Sequence, residues 1–180
     1  MDNLGLKRGF VRILPYKKNW AAKFSAERAE LARALGQHAL NIQHVGSTAV
    51  PGLAAKPIID IAVAVSSLEI AQQLIKPLQE LGYEYKGAAG VPNRRFFAKG
   101  PENHRTHYLH IAEIGTEFRC LILFRDLLIA NADIASQYGV LKHDLADKFA
   151  SDRALYTKGK NDFIEKTIAQ GDGIHNAKPI

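Results

Sequence analysis

The segment 44–61, HVGSTAVPGLAAKPIIDI, gathers residue types that handle anions. Gly46 and Ser47 close one apolar run, Ser47 and Thr48 bring two hydroxyls, Pro51-Gly52 tightens the loop, and Lys56 adds a cation before the next apolar run. A glycine has no Cβ to hold a phosphate away from the backbone, and N–H groups with hydroxyls can then bind it. Gly46, Ser47 and Thr48 are therefore candidate phosphate contacts, with an ordinary polar loop as the alternative. The spacing is not the G-x-x-x-x-G-K-[ST] of a P-loop. Asp60 stands within the apolar run 57–65, where an unpaired carboxylate is costly. Strand alternation puts Ile59, Ile61 and Val63 on one face and Ile58, Asp60, Ala62 and Ala64 on the other. The small neighbours leave room for a ligand beside the carboxylate. Asp60 reads either as a ligand or metal contact, with Lys56 as its catalytic companion, or as half of a structural salt bridge to Lys56 or a neighbouring arginine.

A second group lies between residues 86 and 110, where Lys86, Arg94, Arg95, Lys99 and Arg105 face Glu102 alone. Arg95, Lys99 and Arg105 are candidates to neutralise phosphate charge, against the alternative of a solvated basic face. His104, His107 and His110 are three apart, so on a strand they point to alternating faces. His107 shares a face with Leu109 and Ile111 and reads as a core residue. Tyr108 and His110 share the other face and can look into the same cleft as Asp60. H-E-x-x-H and Cys/His zinc spacings do not occur, nor do G-x-S-x-G, GxGxxG or the kinase signatures. Cys120 reads as helix packing, and Arg125-Asp126 and Lys158-x-Lys160 read as surface charges.

These residues need a frame. Residues 9–14 and 39–45 read as strands, and Trp20, Phe24, Leu31 and Leu35 mark a helix over 20–35 that Gly36 stops. Residues 57–65 form a further strand. Ser66 and Glu69 have capping-box spacing before a helix to Leu81. Residues 83–86, 94–99 and 107–113 are strand candidates. From Gly115 the texture turns helical: 116–130, then a helix capped by Asn131 with Ile134, Tyr138, Leu141, Leu145 and Phe149 on one stripe, then 152–169. The expectation is one α+β unit over residues 1–170, sheet-rich over 9–115 and helical over 116–170, with a loose tail at 171–180.

Composition sets the outer limits. The chain has 180 residues, 47% of them hydrophobic and 23% charged, which is ordinary globular usage and excludes disordered, collagenous and disulfide-scaffold classes. A net charge of +6 favours anionic partners: a nucleotide or a phosphorylated small molecule. Nucleic-acid binding through residues 86–110, with Phe96, Phe97 and Tyr108 for stacking, ranks below these because no RRM, KH or helix-turn-helix signature is present. No apolar run reaches about 18 residues, so no membrane span is expected. Met1 to Arg12 lacks the apolar core of a secretory signal, and the single Cys120 suits a reducing compartment. The expected location is cytoplasmic.

The segment 44–61 resembles the signature of the GrpB family within the nucleotidyltransferase superfamily. RTHYLHI from Arg105, LFRDLL from Leu123, YGVLKHDLA from Tyr138 and YTKGKNDFI from Tyr156 match in order, so the resemblance spans about residues 11–169. It implies a polymerase-β-like fold, a mixed sheet flanked by helices with a C-terminal helical segment. It further implies that Gly46 and Ser47 hold nucleotide phosphates and that Asp60 holds a divalent metal. Two departures stand out. Ile58 and Ala62 occupy the positions two away from Asp60, where active relatives carry a second carboxylate, and His110 stands where a third would lie. Tyr108 also replaces a histidine that many family members carry. The resemblance implies transfer of a nucleotidyl or phosphoryl group, with Mg²⁺ or Mn²⁺ on Asp60 and His110. The alternative is a non-catalytic nucleotide- or phosphate-binding module that has lost the full metal site.

Overall fold

The computed structural model describes residues 4–176. Five strands form one sheet in the order β1-β2-β5-β4-β3: β1 (Asn41–Val45), β2 (Ile59–Val65), β3 (Tyr83–Tyr85), β4 (Arg95–Lys99) and β5 (His107–Glu113). The central pair β2 and β5 is parallel, and every other pair is antiparallel. β2 is a nearly continuous apolar run broken by Asp60, and β5 is buried along most of its length, because helices cover both faces.

On one face, α1 (Asn19–Leu35) and α2 (Ala71–Glu80) bring Trp20, Leu31, Leu35, Leu74 and Leu78 onto Ile59, Ile61, Val63, Leu109 and Ile111. Burying each such side chain contributes about 1.5–3 kcal/mol, so this layer anchors the sheet. The other face is lined by Ala62, Ala64 and Ala112, small enough for Phe118 of α3 (Thr116–Ala130) to pack against them. The Asp60 end of that face borders a cavity.

Three more helices follow: α4 (Ala132–Lys148), α5 (Arg153–Lys158) and α6 (Asn161–Asn176). Val50 and Leu53, in the loop between β1 and β2, pack with Phe124, Leu128 and Tyr138. The helices are thereby fixed over the loop that carries Gly46 and Lys56. Asn131 caps α4 by accepting from the amides of Asp133 and Ile134, and Asp152 caps α5 in the same way, each cap contributing about 1 kcal/mol.

Four local expectations are corrected. Residues 9–14 lie outside the sheet. Leu14 makes a two-way bridge to Ala55, and Val11 packs against Ala146 and Tyr156, so the alternation reflects contact with a helical layer. The capping serine is Ser67, whose hydroxyl accepts from the Glu69 amide, rather than Ser66. The final helix divides at Gly159, where a Cβ would fall 2.6 Å from Leu145 Cδ2. The last helix does not end near residue 169: α6 continues to Asn176, and Gly171 lies against Leu127. The rest of the expected tail, 177–180, lies outside the described residues. Among the described residues no helix is long and apolar enough to cross a membrane.

Candidate functional site

Asp60 on β2 pairs with Val45 at the end of β1 and with Tyr108 on β5, while His110 sits one pleat further along. Gly46 follows Val45 at once, with φ +68°, and a Cβ at that position would lie 2.9 Å from Asp60 Oδ2. Only glycine satisfies both the backbone and the contact. Two clamps set the next cation. Ala55 exchanges two backbone hydrogen bonds with Leu14, and the Pro57 carbonyl accepts from Gly5, which holds Lys56 between them. Gly46, Ser47, Thr48, Lys56, Asp60, Tyr108 and His110 all line one cavity of about 260 Å³. The Thr48 hydroxyl is 3.0 Å from His44 Nε2, so it supports the loop as well as facing the cavity.

The helices supply what the sequence reading left out. Lys142 of α4, Lys160 just before α6 and Arg153 of α5 enter the same cavity, together with Tyr138, Tyr156 and, from the loop before β4, Arg94. Lys56 lies 5.4 Å from the Tyr156 ring centroid, Lys160 4.6 Å from the same ring, and the Arg153 guanidinium 4.7 Å over Tyr108. Lys142 donates to the Ala54 carbonyl and lies 4.9 Å from the Tyr138 ring. Aromatic faces offset only about 0.5–2 kcal/mol of a desolvated cation's cost. Among the described residues, none of these three lysines and two arginines forms a salt bridge to a carboxylate. Burial, reinforced by Lys160 and Arg153, lowers the Lys56 ammonium to about 7. Burial and Lys160 lower Lys142 to about 7, and burial brings Lys160 to about 8. Burial also raises the Tyr138 hydroxyl, which shares a hydrogen bond with Ser47.

Among the described residues, Asp60 is the single carboxylate lining this cavity. Burial pushes its acidity down, but the hydrogen bond from His110 and the nearby ammonium groups of Lys56 and Lys160 outweigh it, so its pKa falls below the ordinary value. His110 is held on both sides: Arg94 Nη1 is 3.2 Å from Nδ1, and Asp60 Oδ1 is 3.4 Å from Nε2. Arg94 can only donate, so Nδ1 accepts and Nε2 carries a hydrogen toward Asp60. A metal at Nε2 would need that hydrogen moved to Nδ1, where it would meet the Arg94 N–H. Among the described residues no three His, Cys, Asp or Glu side chains converge as a metal cluster. Asp60 is thus left as the single anionic donor, short of the several oxygens that a two-metal centre needs. The residues present do not fit the metal set that the fold implies. Arg94 also donates to the Ala89 carbonyl, at 3.2 Å, while its Nε is buried without a partner. Ala89 itself holds φ +46°, a conformation that costs about 1–3 kcal/mol outside glycine.

Three expected anion contacts lie elsewhere. Arg95 and Lys99 share a face with Phe97, opposite Asp60, because their parity on β4 is odd. Lys99 donates to Glu27 at 2.7 Å, and Arg95 donates to the Pro92 carbonyl at 3.3 Å. Arg105 pairs with Glu84 and the Gly100 carbonyl in a neighbouring hollow beyond Tyr108. Phe97 is fully buried on the far face and Phe96 and Tyr108 are buried on the near one, so the exposed stacking platform of the nucleic-acid reading is not formed. Lys160 is a cavity residue rather than a surface charge. Arg125 ties α3 to β1 by donating to the Gln43 side chain and the His44 carbonyl. One signal in the sequence could have found Lys142: it falls four residues after Tyr138 and four before Ala146, on the buried stripe of α4.

Comparison with known proteins bears on the family and the fold. The family described as GrpB protein matches residues 10–170. The UPF0157 protein YqkA of Bacillus subtilis is 39% identical over 156 residues, which are 86% of this chain and 45% of YqkA. The chain therefore spans less than half the length of that relative. The crystal structure of the conserved protein GrpB from Enterococcus faecalis superposes with a TM-score of 0.83 at 36% identity, covering 91% of this chain and 99% of that one. The Cid1 poly(U) polymerase bound to MgATP matches with a TM-score of 0.52 at 18% identity, over 75% of this chain and 44% of that one. That likeness establishes a nucleotidyltransferase-type α+β frame.

Proposed function

The chain belongs to the GrpB family, and from this we propose that its cleft binds the phosphates of a nucleotide or other phosphorylated small molecule, with protein cations serving where metal ions would otherwise stand. The observation that carries this reading is the charge imbalance: Lys56, Lys142, Lys160, Arg94 and Arg153 converge on one carboxylate in a cavity floored by Gly46 and Ser47. Buried charges are normally paired. Here the missing partner is an anion, and phosphate oxygens would also satisfy Arg94 Nε. Charge-assisted bonds to several oxygens at once make such a site both strong and selective for multiply charged groups.

A second reading is supported by the position of Asp60, in van der Waals reach of the Gly46 turn on a nucleotidyltransferase-type frame. In that reading Asp60 holds one divalent ion and the protein transfers a nucleotidyl or phosphoryl group, with Lys56 beside the reacting phosphate.

Titration calorimetry with pyrophosphate and with ATP separates the two, each in EDTA and in Mg²⁺, on the wild type and on Asp60→Asn. Binding in EDTA that is as tight or tighter in Asp60→Asn supports the metal-free site, because the substitution removes a charge that repels phosphate. Binding that requires Mg²⁺ and disappears in Asp60→Asn refutes it and favours the transferase.

A further inference from the structure

The cavity does not end at Tyr108. A second hollow of about 270 Å³ shares Ala89, Phe96, Tyr108 and Arg153 with it and adds Arg8, Lys86 and Arg105. Tyr108 and Phe96, whose rings lie 5.2 Å apart, form the partition, and the Arg153 guanidinium sits over Tyr108 where both spaces meet. The cations of the second hollow come from three separate parts of the chain: Arg8 from the N-terminal strap, Lys86 just after β3, and Arg105 just before β5. Their carboxylate partners, Glu84 with Lys86 and Arg105, and Glu102 with Arg8 and Arg105, stand outside the lining and are half exposed. The Arg8–Glu102 pair is exposed at both ends and contributes little, about 0–1 kcal/mol, so an incoming phosphate can compete for Arg8, and Lys86, whose partner Glu84 is half exposed, can turn to it too. Arg105 is buried and held by the Gly100 carbonyl and Glu84, so it adds fixed positive charge.

We propose that the two hollows form one bipartite anion site, which takes a nucleotide carrying phosphates on two sides of its sugar, at separated positions rather than in a single chain. One phosphate group lies among Lys56, Lys142 and Lys160, the other among Arg8, Lys86 and Arg105, and Arg153 reaches both. The neutral body of the ligand crosses the partition at Phe96 and Tyr108. This rests on the phosphate reading of the main cleft and adds what that reading leaves open, the arrangement of phosphates that the site selects.

The test compares adenosine 3′,5′-bisphosphate with ADP, which carries the same two phosphates in one chain. Both are titrated in EDTA, with pyrophosphate as the probe of the main cleft, on the wild type and on Arg8→Ala/Lys86→Ala. Thermal unfolding verifies that the variant folds. The bisphosphate is expected to bind about tenfold more tightly than ADP, and the double variant to erase that advantage while leaving ADP and pyrophosphate unchanged. Equal affinity of the two nucleotides, or a loss in the variant that is the same for ADP, overturns the proposal. Failure of pyrophosphate and ADP to bind at all refutes the underlying phosphate reading, a result distinct from pyrophosphate binding with no preference for the bisphosphate.

Discussion

The two faces of the sheet each bury a polar cluster, and the clusters are built on opposite principles. Behind the sheet, under α1, Glu27 accepts from the Tyr83 hydroxyl at 2.9 Å and from Lys99 Nζ at 2.7 and 2.8 Å, with His107 Nε2 at 4.0 Å. Burial lowers the His107 pKa to about 4, so near neutral pH the cluster holds one anion and one cation. Its polar groups find each other inside the protein, and such a cluster completes the fold. In front of the sheet, five basic side chains meet the carboxylate of Asp60, and their partners are aromatic rings, carbonyls and, for Arg94, the His110 imidazole. Even with burial bringing Lys56 and Lys142 to about 7, positive charge exceeds negative there. Lysines occur in both clusters, so residue type does not separate a structural cluster from a binding one. Charge balance does.

Removing Glu27 should have the largest effect. Glu27→Ala leaves Lys99 and Tyr83 without their acceptor, and urea unfolding should show a loss of about 3 kcal/mol while pyrophosphate affinity stays the same. Lost affinity at unchanged stability would erase the distinction between the faces. Gly46→Ala is next. Its positive φ and the 2.9 Å approach to Asp60 Oδ2 should cost about 2 kcal/mol. Adding Asp60→Ala should recover part of that, a coupling that a double-mutant cycle would measure. Full additivity would mean that the backbone alone demands glycine.

Lys56→Met should raise the pyrophosphate Kd about tenfold, or 1.4 kcal/mol, without lowering the melting temperature of the free protein, because it deletes an unbalanced buried charge. A large fall in melting temperature would place Lys56 with the structural cluster instead. The finest test concerns protons. The folded pKa of Lys56, about 7, lies below the ordinary lysine value of 10.5, so from pH 7 to 10 the unfolded chain holds more protons. Stability should therefore rise with pH in the wild type relative to Lys56→Met. By the same sign, ATP binding at pH 8 in EDTA should take up about one proton, and the uptake should diminish in the variant. Calorimetry in buffers of different ionisation enthalpy measures it, and no uptake in either protein would mean that the lysines are already protonated before the ligand arrives.

Much of the frame was legible from the chain itself. The parity of residues 58–64 placed Asp60 opposite Ile59 and Ile61, and the same rule placed His110 with Tyr108 and His107 with the core. Gly46 and Ser47 were joined to Asp60 by the family resemblance, and the antiparallel pairing of β1 with β2 supplies the physical reason. The parity placements are local facts, determined by the period of a strand. Arg95 and Lys99 were misplaced although parity was available for them too: their charge was counted along the segment rather than by face. What the tertiary structure alone decided is the helical contribution. Lys142, Arg153 and Lys160 lie more than 80 residues from Asp60 in the chain, and only the packing of Phe124, Leu128 and Tyr138 on Val50 and Leu53 brings them to it. The sequence thus specified the carboxylate and its strand, while the charge that surrounds it depends on the docking of the helices, a long-range packing event that no local spacing encodes.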